Sequence, residues 1–77
     1  MRNNPNHSEV FCERLKQARL DKGLSYERFE LQVGVEHPAA FWWEKGRAYP
    51  KVCNLLKIAE VLDVSLDWLF GIEKNAI

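Results

Sequence analysis

Lys45, Arg47, Lys51 and Lys57 follow one another with no acidic residue between them. Long cationic side chains in such a run suit phosphate oxygens, which they hold by charge and by hydrogen bond. Past Lys57 the balance reverses, and Glu60, Asp63, Asp67 and Glu73 stand against Lys74 alone. The formal net charge of the chain is zero. The case for an anionic partner therefore rests on distribution, with a basic segment ahead of an acidic end. The plainer account of the same pattern is two solvated faces.

Other chemistry is sparse. The histidines are His7, near the start of the chain, and His37; the cysteines are Cys12 and Cys53. Two of each with no close spacing do not make a zinc site. There is no Ser-His-Asp arrangement, no phosphate-cradling glycine loop and no carboxylate pair in an apolar setting, so the chain reads as a non-enzyme without cofactor or metal. A lone pair of cysteines with no signal peptide reads as reduced thiols. No apolar run approaches the ~20 residues needed to cross a bilayer. The expectation is a cytoplasmic protein with no membrane partner.

The basic run begins where a helical pattern ends. Between Gly23 and Gly46 the sequence reads as two short helices joined by a tight turn. Ser25 suits an N-cap, because its hydroxyl can accept an otherwise unpaired backbone N–H. Phe29 and Val33 fall four apart on one face, and Gly34 stops the helix. A second helix is expected from near Glu36, with Pro38 in its first turn and Ala40 and Trp43 facing inward. Two helices around a sharp glycine-containing turn are the helix-turn-helix pattern.

The flanks supply the rest of an all-α, five-helix domain. At 77 residues the chain is one domain, and an apolar fraction of 47% supports a core. Residues 1–8 are polar and read as a flexible arm, residues 9–71 as the domain and 72–77 as a tail. Helix 1 is expected from Glu9 to Asp21, capped by Ser8. Helix 4 is expected over Val52–Leu62, and helix 5 from a Ser65 cap to near Gly71. The expected core is Phe11, Leu15, Leu24, Phe29, Val33, Val35, Trp43, Leu55, Leu56, Ala59, Leu62, Leu66 and Leu69. Trp68, Phe70 and Ile72 add more apolar surface than a small domain readily hides, which points to a homodimer through this end.

An ordered set of residues resembles the lambda-repressor-like (Cro-type, or XRE) helix-turn-helix proteins. It comprises Phe11-x-Glu13-Arg14-Leu15-x-x-x-Arg19, Gly23-Leu24-Ser25, Gly34-Val35, Trp43-Glu44-x-Gly46-Arg47-x-Tyr49-Pro50, Asn54 to Leu62, and Val64-Ser65-Leu66-Asp67-x-Leu69. The resemblance implies a DNA-binding domain, commonly dimeric, in transcription regulators and repressors of bacteria, phages and mobile elements. It implies that helix 3 enters the major groove of double-stranded DNA, with His37, Pro38 and Trp42 facing bases and Ala39 and Phe41 nearby. It implies phosphate contacts from Tyr26, Lys45 and Arg47, and an ion pair between Arg19 and Glu44.

The chain departs from that pattern. Tyr26 stands where glutamine is usual. Glu30 stands where alanine is usual, at the close approach of helices 2 and 3, so it must bend outward, part the helices or find a partner. Base edges are mostly read by Arg, Lys, Asn or Gln, and of the implied readers only His37 hydrogen-bonds well. Two readings follow: a sequence-specific DNA-binding regulator, or a helix-turn-helix scaffold whose apolar third helix binds a protein.

Overall fold

Phe11, Leu15 and Ala18 recur at helical spacing on α1 (His7–Asp21) and are buried together. A computed structural model describes residues 6–72 of the chain and shows five helices and no strand among them. Helices α2 (Tyr26–Val33), α3 (Ala39–Glu44), α4 (Val52–Leu62) and α5 (Leu66–Phe70) complete the order. α1 packs on α3 and α5, α2 packs on α3 and α4, and α4 meets α5. Phe29 and Val33 of α2, Ala40 and Trp43 of α3, Ile58 and Leu62 of α4 and Leu69 of α5 join the α1 stripe in one core.

The helix ends follow local chemistry. Ser25 accepts the Arg28 N–H at 3.1 Å and Ser65 accepts the Trp68 N–H at 3.0 Å. Gly34 closes α2 in the left-handed conformation at φ 91°, where a side chain would be strained. Helix α1 starts earlier than Glu9. Its cap is Asn6 rather than Ser8, accepting the Ser8 and Glu9 N–H groups at 3.1 and 3.2 Å. The expected arm thus overlaps α1 from His7 onward. The remainder of the arm, residues 1–5, and the tail after Ile72 lie outside the described residues.

One expected core position, Leu56, is exposed, and one residue outside the expected core, Ile58, is buried. Leu56 is 57% exposed, and Ile58 is fully buried in its place. The inward stripe of α4 is Leu55, Ile58, Ala59 and Leu62, spaced i, i+3, i+4, i+7, which leaves Leu56 with Val52 on the outer side. Leu24, Val35, Leu55 and Leu66 are half-buried against the core.

Phe70, expected at a dimer contact, takes part in the packing of its own chain. Its ring stacks on Phe11 at 4.8 Å and 11°, and its carbonyl accepts from His7 Nδ1 at 2.6 Å. Trp68 is half-buried, with the Arg14 guanidinium 5.0 Å over its ring and Arg14 Nη1 donating to its carbonyl at 2.5 Å. The C-terminal apolar surplus is largely absorbed by α1. Ile72 stays 47% exposed.

Candidate nucleic-acid interface

Helix α3 begins at Ala39, not near Glu36. Pro38 takes the cap position, and His37 and Pro38 form a turn ahead of the helix. The residue before a proline is driven away from helical backbone, so His37 cannot start α3. Glu36 therefore sits in the connecting loop, its carbonyl accepting the Ala39 N–H at 2.9 Å. The His37–Pro38 peptide is cis.

Glu30 resolves its position by finding partners at the start of α3 and in the turn before it. Its side chain is 2% exposed. Oε2 accepts the buried Ala40 N–H at 2.9 Å, and Oε1 accepts from His37 Nδ1 at 2.8 Å. One carboxylate thus satisfies an otherwise unpaired donor of α3 and holds the imidazole. The His37 side chain is 56% exposed and turns its Nε2 edge away from Glu30.

A second buried polar cluster ties α1 to the end of α3. Arg19 Nε donates to Glu44 Oε2 at 2.7 Å, Nη2 to Oε1 at 3.3 Å, and Nη1 to the Leu24 carbonyl at 2.6 Å. The ion pair implied by the resemblance is present and buried. Burial pulls the Arg19 pKa down, but the hydrogen bond and charge of Glu44 outweigh it and hold the guanidinium above its ordinary value. Tyr26 belongs to this cluster. Its ring lies 4.1 Å beneath the guanidinium and its hydroxyl donates to Glu44 Oε1 at 3.1 Å. The phenolic proton is thus donated inside the domain, to the carboxylate that Arg19 also holds. Among the described residues no buried side-chain nitrogen or oxygen lacks a partner.

The implied base-facing residues divide. His37, Pro38 and Trp42 are exposed. Pro38 and Trp42 are one turn apart, joined by the Trp42 N–H to Pro38 carbonyl bond at 3.2 Å, and share the outer face. Ala39 and Phe41 do not stand free. Ala39 packs against the core. Phe41 meets Tyr26 edge-on at 5.7 Å and Trp42 at 5.1 Å, with Lys45 Nζ 5.4 Å from its ring. Trp43 turns inward at 4% exposure while its neighbour Trp42 is 40% exposed. Lys45 and Arg47 are exposed just past α3, with the Arg47 N–H bonded to the Trp42 carbonyl at 2.9 Å. Lys51 and Lys57 are exposed as well. The outer face is an apolar ridge with one imidazole, bordered by cations.

Glu30 was not among the implied site residues. Its signal in the sequence was an acid at a close helix approach, without indication of which donor would meet it.

A family model described as helix-turn-helix matches residues 15–69. This chain belongs to that helix-turn-helix family. The domain is similar to the uncharacterized HTH-type transcriptional regulator YqaE of Bacillus subtilis strain 168, 36% identical over 66 residues, 86% of this chain and 57% of that protein. It is also similar to the SPbeta prophage-derived HTH-type regulator YonR of the same organism, 37% identical over 60 residues, 78% of this chain and 56% of that protein. The chain thus spans little more than half the length of these curated relatives. Among solved structures, the restriction-modification controller protein C.AhdI from Aeromonas hydrophila superposes with a TM-score of 0.75 at 32% identity, covering 82% of this chain and 96% of that one. This helix-turn-helix domain has no helix, among the described residues, long and apolar enough to cross a membrane.

Proposed function

We propose that this chain is a sequence-specific transcription regulator that lays α3 in the major groove of double-stranded DNA. The observation that carries the reading is the outer face of α3. His37, Pro38 and Trp42 are exposed there, and the exposed cations Lys45 and Arg47 follow directly in the exit loop. Residues at the helix start meet base edges, apolar side chains meet thymine methyl groups, and cations beside the helix meet phosphate. The buried Arg19–Glu44 pair and the Glu30 bridge hold α3 against α1 and α2, so the reading face is preorganised. The resemblance to regulators supports this reading over a protein-binding scaffold.

The regulator works in the cytoplasm as a homodimer, with two copies of α3 set about 34 Å apart in successive major grooves. Ile72 and the uncovered part of Trp68 are the contacts left for pairing once Phe70 is taken up in the packing of its own chain. A second half-site adds the affinity that one small domain lacks.

Mobility shift of duplex DNA flanking the protein's own gene, across a salt series, tests the reading. A sequence-selective complex that weakens linearly with log salt is expected, with a slope near −0.9 per phosphate contacted. Absence of any complex at low salt overturns it. Sedimentation that finds only monomer at high micromolar concentration overturns the dimer.

A further inference from the structure

We propose that Glu30 is a specificity-determining positioning residue, setting through His37 Nδ1 which hydrogen bond His37 Nε2 offers to a base edge. The proposal rests on α3 being the groove-facing helix. Both carboxylate oxygens of the buried Glu30 are committed, Oε2 to the Ala40 N–H at 2.9 Å and Oε1 to His37 Nδ1 at 2.8 Å. An ionised carboxylate only accepts, so the proton in the second contact sits on Nδ1. In the neutral ring the lone pair is then on Nε2, and the outward edge of His37 is an acceptor. An unanchored imidazole would present either tautomer and either ring face. Here a side chain 2% exposed selects one for a side chain that is 56% exposed.

An acceptor in the major groove pairs with an exocyclic amino group. Adenine N6 and cytosine N4 present one there; guanine N7 and O6 and thymine O4 are acceptors, and adenine carries the N7 acceptor beside its amino group. The geometry thus points to adenine or cytosine as the base that His37 contacts. The specificity is written partly by a residue that touches no DNA.

Glu30→Gln separates this role from simple packing. The amide keeps the shape of the carboxylate but carries one acceptor and one donor group. The Ala40 N–H is buried backbone that can only donate, so the amide oxygen must stay on it. The amide NH2 then faces His37 Nδ1, which must accept, and the ring proton moves to Nε2. The outward edge becomes a donor, which suits guanine, thymine or adenine N7 and disfavours cytosine.

The test uses the full chain. Nitrogen-15 spectra of His37, recorded where the ring is neutral, report the tautomer. Selection from a randomised duplex pool reports base preference, and His37→Ala identifies the base pair that depends on His37. Expected for the native chain are Nδ1–H and a preference for adenine or cytosine at that base. Expected for Glu30→Gln are Nε2–H and a shift of about three- to tenfold toward guanine or thymine relative to cytosine, the effect of one hydrogen bond, with adenine still accepting through N7. Retained Nδ1–H in a folded Glu30→Gln variant, or an unchanged ranking of cytosine against guanine and thymine, overturns the role of Glu30 while leaving DNA binding intact. So does Nε2–H in the native chain, a result that needs no variant to fold. A pool from which the native chain retains no duplex overturns the DNA-binding reading, and this proposal with it.

Discussion

The Tyr26 hydroxyl donates to Glu44 Oε1 at 3.1 Å, on the same carboxylate that Arg19 grips from α1. A residue on the outer turn of α2 is thereby tied to the last residue of α3 and, through Arg19, to α1. Removing only the hydroxyl, with Tyr26→Phe, deletes one hydrogen bond and leaves the ring over Arg19. The expected cost is about 1 kcal/mol, or roughly 4–8 °C of melting temperature for a domain of this size. Glu44→Ala strands a buried guanidinium, and the expected loss is larger, about 3–5 kcal/mol. Thermal unfolding of the two variants side by side measures both, and equal losses would contradict the arrangement.

The same cluster gives the domain an alkaline limit. Burial first, and the charge of Glu44 second, raise the Tyr26 phenol above its ordinary value against the opposing pull of Arg19. Above a pH of about 10 an unfolded chain releases this proton while the folded one keeps it. The native state then binds more protons, so stability contributed by Tyr26 is fully present below that pH and is lost as pH rises through the folded titration. Melting temperature against pH should fall more steeply for the native chain than for Tyr26→Phe over that range. Parallel curves would exclude Tyr26 as the source.

The cysteines should differ in reactivity. Cys53 is exposed. The Cys12 thiol is partly buried, donates to the Trp43 carbonyl at 3.2 Å, and is pushed up by burial and then by Glu44. Since the thiolate is the reactive form, an aromatic disulfide reagent should label Cys53 first and Cys12 slowly. Cys53→Ser should remove the fast phase alone. A fast phase that survives in this variant would place Cys12 in solvent.

The register of α4 predicts opposite outcomes for two similar side chains. Ile58 is wholly buried, and Ile58→Ala should cost about 2–5 kcal/mol. Leu56 is 57% exposed, and Leu56→Ala should stay within about 0.5 kcal/mol. Denaturant midpoints of the two variants check this, and a large loss at Leu56 would mean that its face is covered, for example in a dimer.

Arg47 and Trp42 should separate positioning from readout. Arg47→Ala should weaken binding to all duplexes alike and reduce the salt slope by about one. Trp42→Ala should lower melting temperature by the equivalent of about 1 kcal/mol, from its edge contact with Phe41, while reducing discrimination between sequences. Footprinting across a salt series distinguishes the two. An unchanged slope for Arg47→Ala with binding retained would remove Arg47 from the phosphate contacts.

The sequence by itself determined several features whose partners lie within a helical turn, although not the Asn6 cap of α1 or the start of α3. Ser25 and Ser65 cap helices because their acceptors sit three residues from the N–H they satisfy. Gly34 ends α2 because only its own backbone torsion matters. The inward and outward tryptophans, Trp43 and Trp42, followed from 100° per residue. The Arg19–Glu44 pair was legible through resemblance.

Tertiary structure decided whatever depends on the gap between helices. Phe70 packs against the core because α1 brings Phe11 within stacking distance across 59 residues of chain. Tyr26 spends its proton on Glu44 because α3 ends beside it. In α4, adjacent leucines offered two stripes that periodicity alone could not separate, and the packing of α2 and α5 selected the one containing Ile58. Glu30 shows the division most sharply. Its place at the close approach of helices 2 and 3 was legible through resemblance. Its partners were not, because a carboxylate accepts from any donor, and only the approach of α3 determines that the donors are the Ala40 backbone and the His37 ring.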